Sequence, residues 1–333
     1  MKNRWVEPDI RDNVVETVLT YKERTGKSIR DLISFAGISS AKFYDWEKRY
    51  GISNKHNGKI PKSNWILDWE KKAIVKYSRD HEEEGYRRLC YQMIDKDVAY
   101  ASPSTVYRIL KANNLLTVYI IPKSRSSRGN GYRQPGAPHE EWHIDISYVN
   151  VLGSFMFLIA IIDGYSRFIT YHELRAYMQE KDVTVVLQRA YEKFSGVNPR
   201  IISDRGSQFI SREFKKYLRF IGLKHTYTSA GYPQSNGKIE RFFRTTKEEC
   251  IRRNSFLSIE DARKIIGKYV DYYNYERLHS AIDYVTPYDM IMGRRDEILK
   301  ARDEKLRKAR MQRIENYNKK TNLLENSVFS NSR

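Results

Sequence analysis

The chain has 333 residues, of which 60 are Lys or Arg and 41 are Asp or Glu, so its formal net charge is +19. Hydrophobic residues make up 40% of it, which argues against a wholly disordered chain. The longest apolar run, Phe155 to Ile162, is too short to cross a membrane. Only two cysteines occur, which excludes a disulfide framework and a four-thiolate zinc site. We expect a soluble, cytoplasmic protein.

The basic excess is uneven: residues 1–138 carry +10, residues 139–290 carry +3, and residues 291–333 carry +6. A nearly neutral middle between two basic flanks predicts a compact core with segments that bind a polyanion. Nucleic acid is the expected partner, because binding to phosphates releases counterions. The alternative is a solvated basic surface that serves solubility.

Residues 1–51 are predicted to form an N-terminal DNA-binding domain of the helix-turn-helix type. Helices are expected over 11–24, from a Ser28 cap onward, and over 40–50, with Ile38, Phe43 and Trp46 in the core. The pattern also fits any small three-helix bundle. The candidate DNA contacts on this domain are Ser40, Lys42, Tyr44, Lys48 and Arg49.

A polar linker is expected over 52–63, followed by a second helical domain, again helix-turn-helix-like, over 64–117. Its third helix opens with Ser102 and Pro103, a strong helix-start signal. A basic connector over 118–138, either flexible or ordered only along DNA, follows it. The candidate DNA contacts here are Arg87, Arg88, Arg108 and Lys111, and in the connector Arg125 and Arg128.

The middle of the chain changes to alternating strands and helices, which indicates an α/β core over 139–256 with a mixed sheet flanked by helices. The remaining residues, 257–333, are predicted to form a helical basic region. A helix is expected over about 290–320. It could contact DNA, serve oligomerisation or simply be a solvated charged helix, and its composition does not decide among these three. Strands are expected over 142–151, 154–166, 167–174, 200–204 and 224–229, and helices over 179–195, 211–220 and 238–253.

Three acids stand out in this segment by their surroundings. Asp145 lies inside an alternating strand, Asp204 ends a buried strand, and Glu240 lies near the start of a helix. Three carboxylates suit Mg²⁺ or Mn²⁺, and two such ions about 4 Å apart support phosphodiester chemistry. Taken singly, each acid is also compatible with a turn, a cap or an ordinary surface position.

The spacing and the flanking motifs narrow these possibilities. Asp145 and Asp204 have 58 residues between them, and Asp204 and Glu240 have 35. Together with SDRGSQF at 203–209, YPQSNGKIERFFRTTK at 232–247 and YNYERLHSAIDYVTPYDM at 273–290, this resembles the DDE transposase and retroviral-integrase family, most closely insertion-sequence transposases.

The resemblance implies an α/β ribonuclease-H-like core in which Asp145, Asp204 and Glu240 are both the catalytic residues and the ligands of two Mg²⁺ or Mn²⁺ ions. It implies that Lys247, with Arg244 on the same helix face, contacts donor-end DNA. Gln208 and Asn236 would lie beside the active site. A zinc site on the histidines at 139 and 143 is not supported, and a structural role is expected for His143.

The implied activity is that of a bacterial transposase, which binds the terminal inverted repeats of its element, nicks 3′ ends and transfers the strands into target DNA. Such an enzyme is expected to act on double-stranded DNA as a homodimer or larger assembly, in the cytoplasm at the nucleoid. Two alternatives remain open: a plain nuclease on the same core, and a DNA-binding regulator whose core is a catalytic relic.

Overall fold

A computed structural model of the protein describes residue 6 and residues 8–51, 65–116, 134–228 and 236–330. The linker over 52–63, most of the connector over 118–138, and with it Arg125 and Arg128, lie outside the described residues. The chain divides into two compact units, one formed by residues 1–65 and 310–333 and the other by residues 66–309.

The first unit begins with the three short helices that the sequence predicts: α1 (Pro8–Thr25), α2 (Ile29–Phe35) and α3 (Ser40–Lys48). Ser28 and Ser39 cap α2 and α3 through their hydroxyl groups, so both helix starts are encoded locally. Between them, Gly37 makes the turn with a φ of 63°, a conformation that suits glycine. The apolar side chains that join the helices include Ile38, Phe43 and Trp46, as expected.

The second unit opens with a second helical region, α4 (Asp68–Asp80), α5 (Tyr86–Asp95) and α6 (Pro103–Ala112). The Ser102 hydroxyl accepts a hydrogen bond from the Thr105 N–H, and Pro103 occupies the first turn, so the predicted start of α6 is confirmed. The expected apolar core is also confirmed. It includes Leu89, Met93, Val106 and Leu110, each at most 2% exposed.

A five-stranded mixed sheet follows, in the order β3-β2-β1-β4-β5. The first three strands pair antiparallel, whereas β4 and β5 run parallel to β1. Parallel pairing needs a crossover, and here helices provide it. The strands are β1 (Glu141–Val151), β2 (Ser154–Asp163), β3 (Ile169–Arg175), β4 (Arg200–Ser203) and β5 (His225–Tyr227).

Helices cover both faces of this sheet, because neighbouring residues of β2 point to opposite faces and both sets are apolar. Ile159 and Ile161 face a core shared with α7 (Glu180–Lys193) and α9 (Arg212–Phe220). Leu158 and Ile162 face a second core shared with α10 (Gly237–Glu249) and α11 (Ile259–Tyr275). This is the ribonuclease-H-like arrangement that was predicted. The short helix α8 (Ser207–Ile210) precedes α9.

Helix α11 lies in the region 257–333 that was predicted to be helical, but its packing against the sheet, where it supplies much of the second core, was not predicted. The residues of α11 that are buried in this core include Ala262, Ile266 and Val270. The apolar core around the sheet therefore continues beyond residue 256, where the sequence places the end of the catalytic core.

The predicted single helix over 290–320 is wrong in its boundaries. The structure has α12 (Pro287–Ile291) and α13 (Arg295–Ser330), separated by a turn in which Gly293 has a φ of 73°. Within the second unit, Arg302 is 3% exposed and its guanidinium donates to both carboxylate oxygens of Asp95, at 2.7 and 2.6 Å. The first turns of α13 are therefore packed against α5, so the simple solvated helix does not describe them.

In the described residues, no helix is both long enough and apolar enough to pass through a membrane.

Candidate active site

The pairing of β1 with β4 brings the first two candidate acids to neighbouring positions. Trp142 pairs with Ile201 and His143 with Ile202 in parallel register. Extending this register by two residues places Asp145 opposite Asp204, the residue that directly follows β4. Neighbouring strands lie about 4.8 Å apart. Two carboxylates with 58 residues between them in the chain are therefore brought toward each other on neighbouring strands in the middle of the sheet.

Asp145 is half-buried, and each of its carboxylate oxygens has a hydrogen-bond donor. Oδ1 accepts the Ile146 backbone N–H at 2.8 Å, and Oδ2 accepts the Asn236 side-chain amide at 3.3 Å. Burial, together with repulsion from Asp204 and Glu240, raises the pKa of Asp145 to about 7, against the opposing effect of the Ile146 N–H. Burial makes the larger contribution, and the smaller repulsion from Asp204 and Glu240 is the part that a bound cation would offset.

Asn236 also positions the third acid. It precedes α10, and its carbonyl oxygen accepts the Glu240 N–H at 3.2 Å. Since residues four apart lie on one helix face, the contact between Asn236 and Asp145 orients the first turn of α10 and brings Glu240 toward the same region. The predicted buried stripe on this helix is confirmed, and Glu240 itself is exposed. The buried members are Ile239, Phe242, Phe243, Thr246 and Cys250.

Asp204 is held by the loop that follows β4. Its Oδ1 accepts the Gly206 N–H at 2.8 Å. A Cβ at position 206 would lie 3.0 Å from the same oxygen and 3.3 Å from Oε1 of Gln208, so glycine leaves the space that this carboxylate occupies. Gln208, which the sequence associates with the site, accepts a hydrogen bond from the Ser207 hydroxyl at 3.3 Å.

Asp145 and Glu240 line one surface cavity of about 310 Å³, together with Arg244 and Lys247. The two basic residues predicted from the motif thus lie beside two of the three acids. Arg252 also lines the cavity and was missed. The available signal was the basic pair at 252–253, at the end of the helix predicted over 238–253. Within the described ranges, no three Asp, Glu, His or Cys side chains form a group that could hold one metal ion.

The candidate DNA contacts of the first unit lie on or directly after α3. Tyr44 and Lys48 are exposed. Ser40 and Lys42 are half-buried, and the Lys42 ammonium lies 5.0 Å from the centre of the Trp46 ring. Arg49 forms an ion pair with Asp45 one turn before it.

In the second helical region, three of the four candidates are exposed: Arg87 on α5, and Arg108 and Lys111 on α6. Arg88 differs, since its guanidinium lies 2.5 Å from a carboxylate oxygen of Glu84 and 3.7 Å from one of Glu249. These pairs give Arg88 a structural role within the second unit rather than the outward position expected for it.

The two histidines near the site have neighbours that fit structural roles. His139 accepts a hydrogen bond at Nδ1 from the Trp142 indole N–H at 3.1 Å. His143 is fully buried in β1, and a Cβ on Gly164 would lie 3.0 Å from its Nε2. This burial is consistent with the structural role expected for His143.

Comparisons with known proteins identify the core. Two family models, both described as integrase core domain, match residues 135–233 and 221–287. A putative transposase, InsK of insertion sequence IS150 from Escherichia coli K12, is 24% identical over 245 residues, which span 70% of this chain and 86% of that protein. The transposase of IS904 from Lactococcus lactis is 32% identical over 169 residues, which span 50% of this chain and 66% of that protein.

Solved structures of a viral intasome and of an integrase catalytic core also align with part of this chain. A chain of the simian T-cell lymphotropic virus intasome, in complex with a PP2A regulatory subunit, aligns over 66% of this chain and 74% of its own length, with 17% identity and a TM-score of 0.44. The HTLV-2 integrase catalytic core domain, in complex with magnesium, aligns over 46% of this chain and 97% of its own length, with 18% identity and a TM-score of 0.36.

The family predicted from the acid spacing and the three motifs is confirmed by the two integrase-core matches and the insertion-sequence relatives. The chain belongs to the transposase and integrase-core family.

Proposed function

We propose that this protein is an insertion-sequence transposase that nicks the 3′ ends of its element and joins them to target DNA, with Asp145, Asp204 and Glu240 as catalytic residues. The observation that carries the proposal is the parallel register of β1 and β4, which sets Asp145 level with Asp204. The hydrogen bond from Asn236 to Asp145, one turn before Glu240, supports the third assignment. The names of the relatives support the general class of reaction.

The three acids fit divalent metal ions. Carboxylate oxygens are the ligands that Mg²⁺ and Mn²⁺ prefer, and mutual repulsion among these acids contributes to the raised pKa of Asp145. We infer that the three carboxylates hold two ions. When bound, such ions stabilise negative charge on the attacking and leaving oxygens of a phosphodiester.

The other residues of the cavity would bind and position DNA. Arg244 and Lys247 lie beside Asp145 and Glu240, where their positive charges would hold a phosphate near the acids. Asn236 would keep the Asp145 carboxylate oriented, and Gln208 would position a strand beside Asp204. Nicking and joining differ only in whether a water or a 3′-hydroxyl attacks, so one site can serve both steps.

Recognition of the terminal inverted repeats is assigned in this proposal to the helical parts of the chain. The exposed basic or aromatic side chains on α3, α5 and α6 are the contacts we propose. Because a strand-joining reaction must hold two element ends, we propose that a homodimer or larger assembly acts on DNA, at the nucleoid. The proposed contacts to the terminal inverted repeats are Tyr44, Lys48, Arg87, Arg108 and Lys111.

The decisive experiment uses labelled duplexes made from the DNA that flanks the gene. We expect the full-length protein to join these duplexes to a plasmid in Mg²⁺ or Mn²⁺, and to lose this activity in excess EDTA while still binding the duplex. Cleavage without joining would instead favour a plain nuclease. Binding with neither reaction would favour a regulator with an inactive core.

Replacing Asn236 with alanine tests the positioning of Asp145. The variant loses the hydrogen bond to Oδ2, and we expect joining to slow by about tenfold, the cost of one hydrogen bond to a charged group, with duplex affinity unchanged. The matched control is Asn254→Ala, since the Asn254 amide donates to the Cys250 carbonyl just beyond the other end of α10. Equal slowing in both variants would mean that Asn236 only stabilises the helix.

A further inference from the structure

A second and larger cavity, of about 480 Å³, lies between the second helical region and α10. We call it the basic pocket. Among the described side chains that line it, seven are lysine or arginine and one, Glu84, is acidic. Arg88 and Arg277 are engaged by Glu84 and Glu249. The other basic members are Arg87, Arg167, Lys238, Arg241 and Arg244.

The charges in the basic pocket are close enough to influence one another. Lys238 is 5% exposed, and its burial, reinforced by the positive charge of Arg167, lowers its pKa to about 8. Glu141 and Asp163 oppose this effect without cancelling it. Because the described side chains that line the pocket include seven basic ones and only one acidic one, it is a region of positive potential in which an anion is stabilised.

The wall of the basic pocket is not only charged. Leu110, Leu116 and Phe242 contribute apolar surface, and the half-exposed rings of Tyr86 and Tyr284 lie beside Arg87. The Arg87 guanidinium donates to the Tyr86 hydroxyl at 3.1 Å, which holds it at the rim. Arginines combined with aromatic and apolar surface are typical of sites that bind single-stranded nucleic acid, where bases stack and phosphates pair with cations.

The basic pocket and the candidate active site are connected through α10. Arg244 lines both cavities, whereas Lys238 and Arg241 line only the basic pocket and Glu240 lines only the candidate active site. A DNA strand that passes the acids can therefore continue around this helix into the basic pocket. A base inside a duplex is stacked and paired, so a pocket that receives a single base suits an unpaired strand.

We propose that the basic pocket binds one nucleotide of an unpaired DNA strand, with its phosphate on Arg87 and Arg241 and its base against Tyr86. The inference rests on the proposed function only in taking DNA as the partner. It adds a binding site for an unpaired strand next to the acids. Binding of a duplex alone does not require such a site.

The test measures binding of a short fluorescent thymidine oligonucleotide to the full-length protein in EDTA, so that no reaction contributes. We expect Arg87→Gln combined with Arg241→Gln to weaken binding at least about tenfold. The slope of log affinity against log salt should fall by about 0.7 for one lost phosphate contact. The control, Arg212→Gln with Arg219→Gln, removes the same charge from exposed positions on α9 and should weaken binding less than about twofold.

A further variant separates base from phosphate. Tyr86→Ala should weaken binding of the thymidine oligonucleotide more than binding of an abasic oligonucleotide of equal length. Loss of the hydrogen bond that holds Arg87 affects both oligonucleotides, whereas only the first presents a base to stack. Equal loss with both oligonucleotides overturns the base contact. The proposed pocket is overturned if the two double-arginine variants lose the same affinity for the oligonucleotide. It is also overturned if the wild-type protein does not bind the oligonucleotide. Either result leaves the joining of duplex ends, measured separately, as the test of the proposed function.

Discussion

Replacing Glu240 with glutamine is expected to reduce DNA joining by about a thousandfold or more while leaving duplex binding intact. Glutamine keeps the size of the side chain but removes its negative charge, and the amide is a poor ligand for a divalent ion. Glu240 is exposed beside Asp145, Arg244 and Lys247, so the change leaves the buried stripe of α10 untouched. The measurement is the rate of plasmid joining in Mg²⁺, with duplex affinity and the thermal unfolding midpoint as companion readings.

The matched control for this variant is Glu213→Gln, which removes one exposed carboxylate from α9. Its joining rate should stay within about twofold of the wild-type rate. If Glu240→Gln continued to join DNA at the wild-type rate, the assignment of Glu240 would be wrong, and with it the proposed site.

Replacing Glu249 with glutamine is expected to destabilise the second unit by about 3 kcal/mol, because it leaves the buried Arg277 without its partner charge. Arg277 is 8% exposed, and its guanidinium donates to both carboxylate oxygens of Glu249, at 2.8 and 2.6 Å. The Tyr269 hydroxyl donates to the same carboxylate at 3.0 Å. The free energy of unfolding, measured in urea on the full chain, reports the loss.

The same pair predicts how this loss depends on pH. Burial acts to raise the pKa of Glu249, but the hydrogen bonds and charge of Arg277 outweigh it, so the pKa is lowered from its ordinary value of 4.5. A group whose pKa is lowered on folding contributes stability above its unfolded pKa and loses that contribution as pH falls. The stability difference between wild type and Glu249→Gln should therefore be largest near neutral pH and shrink below about pH 4.5.

The neighbouring substitution Glu248→Gln is the control for this measurement, since Glu248 is exposed. It should change the free energy of unfolding by no more than about 0.5 kcal/mol. A Glu249→Gln variant as stable as this control would show that the buried pair contributes nothing to folding.

Much of the local structure was predictable because its signals are local. The strand that carries Asp145 shows alternating polarity, and the helix that carries Glu240 shows a stripe of apolar residues at helical spacing. Ser102 and Pro103 marked the start of α6 for the same reason, since a cap hydroxyl and a fixed φ act within one turn.

The region that contains α11 was predicted to be helical, but the packing of α11 on the sheet was missed, and α13 was expected to end earlier than it does. A charged residue such as Arg302 is expected from the sequence to lie in solvent. No local signal indicates that Arg302 will pair with Asp95, some two hundred residues away. Arg88 was misjudged in part for the same reason. Its closer partner, Glu84, lies only four residues before it, but its second partner, Glu249, lies on a distant helix.

The sequence by itself determined the family, the alternating strands and helices of the core and the identity of the three candidate acids, because spacing and periodicity are properties of the chain. Only the tertiary structure decided that β1 pairs in parallel with β4, a register that brings Asp145 toward Asp204, and that Arg244 borders two cavities. Parallel pairing and helix packing depend on which apolar surfaces are buried together, and those surfaces come from segments far apart in the chain.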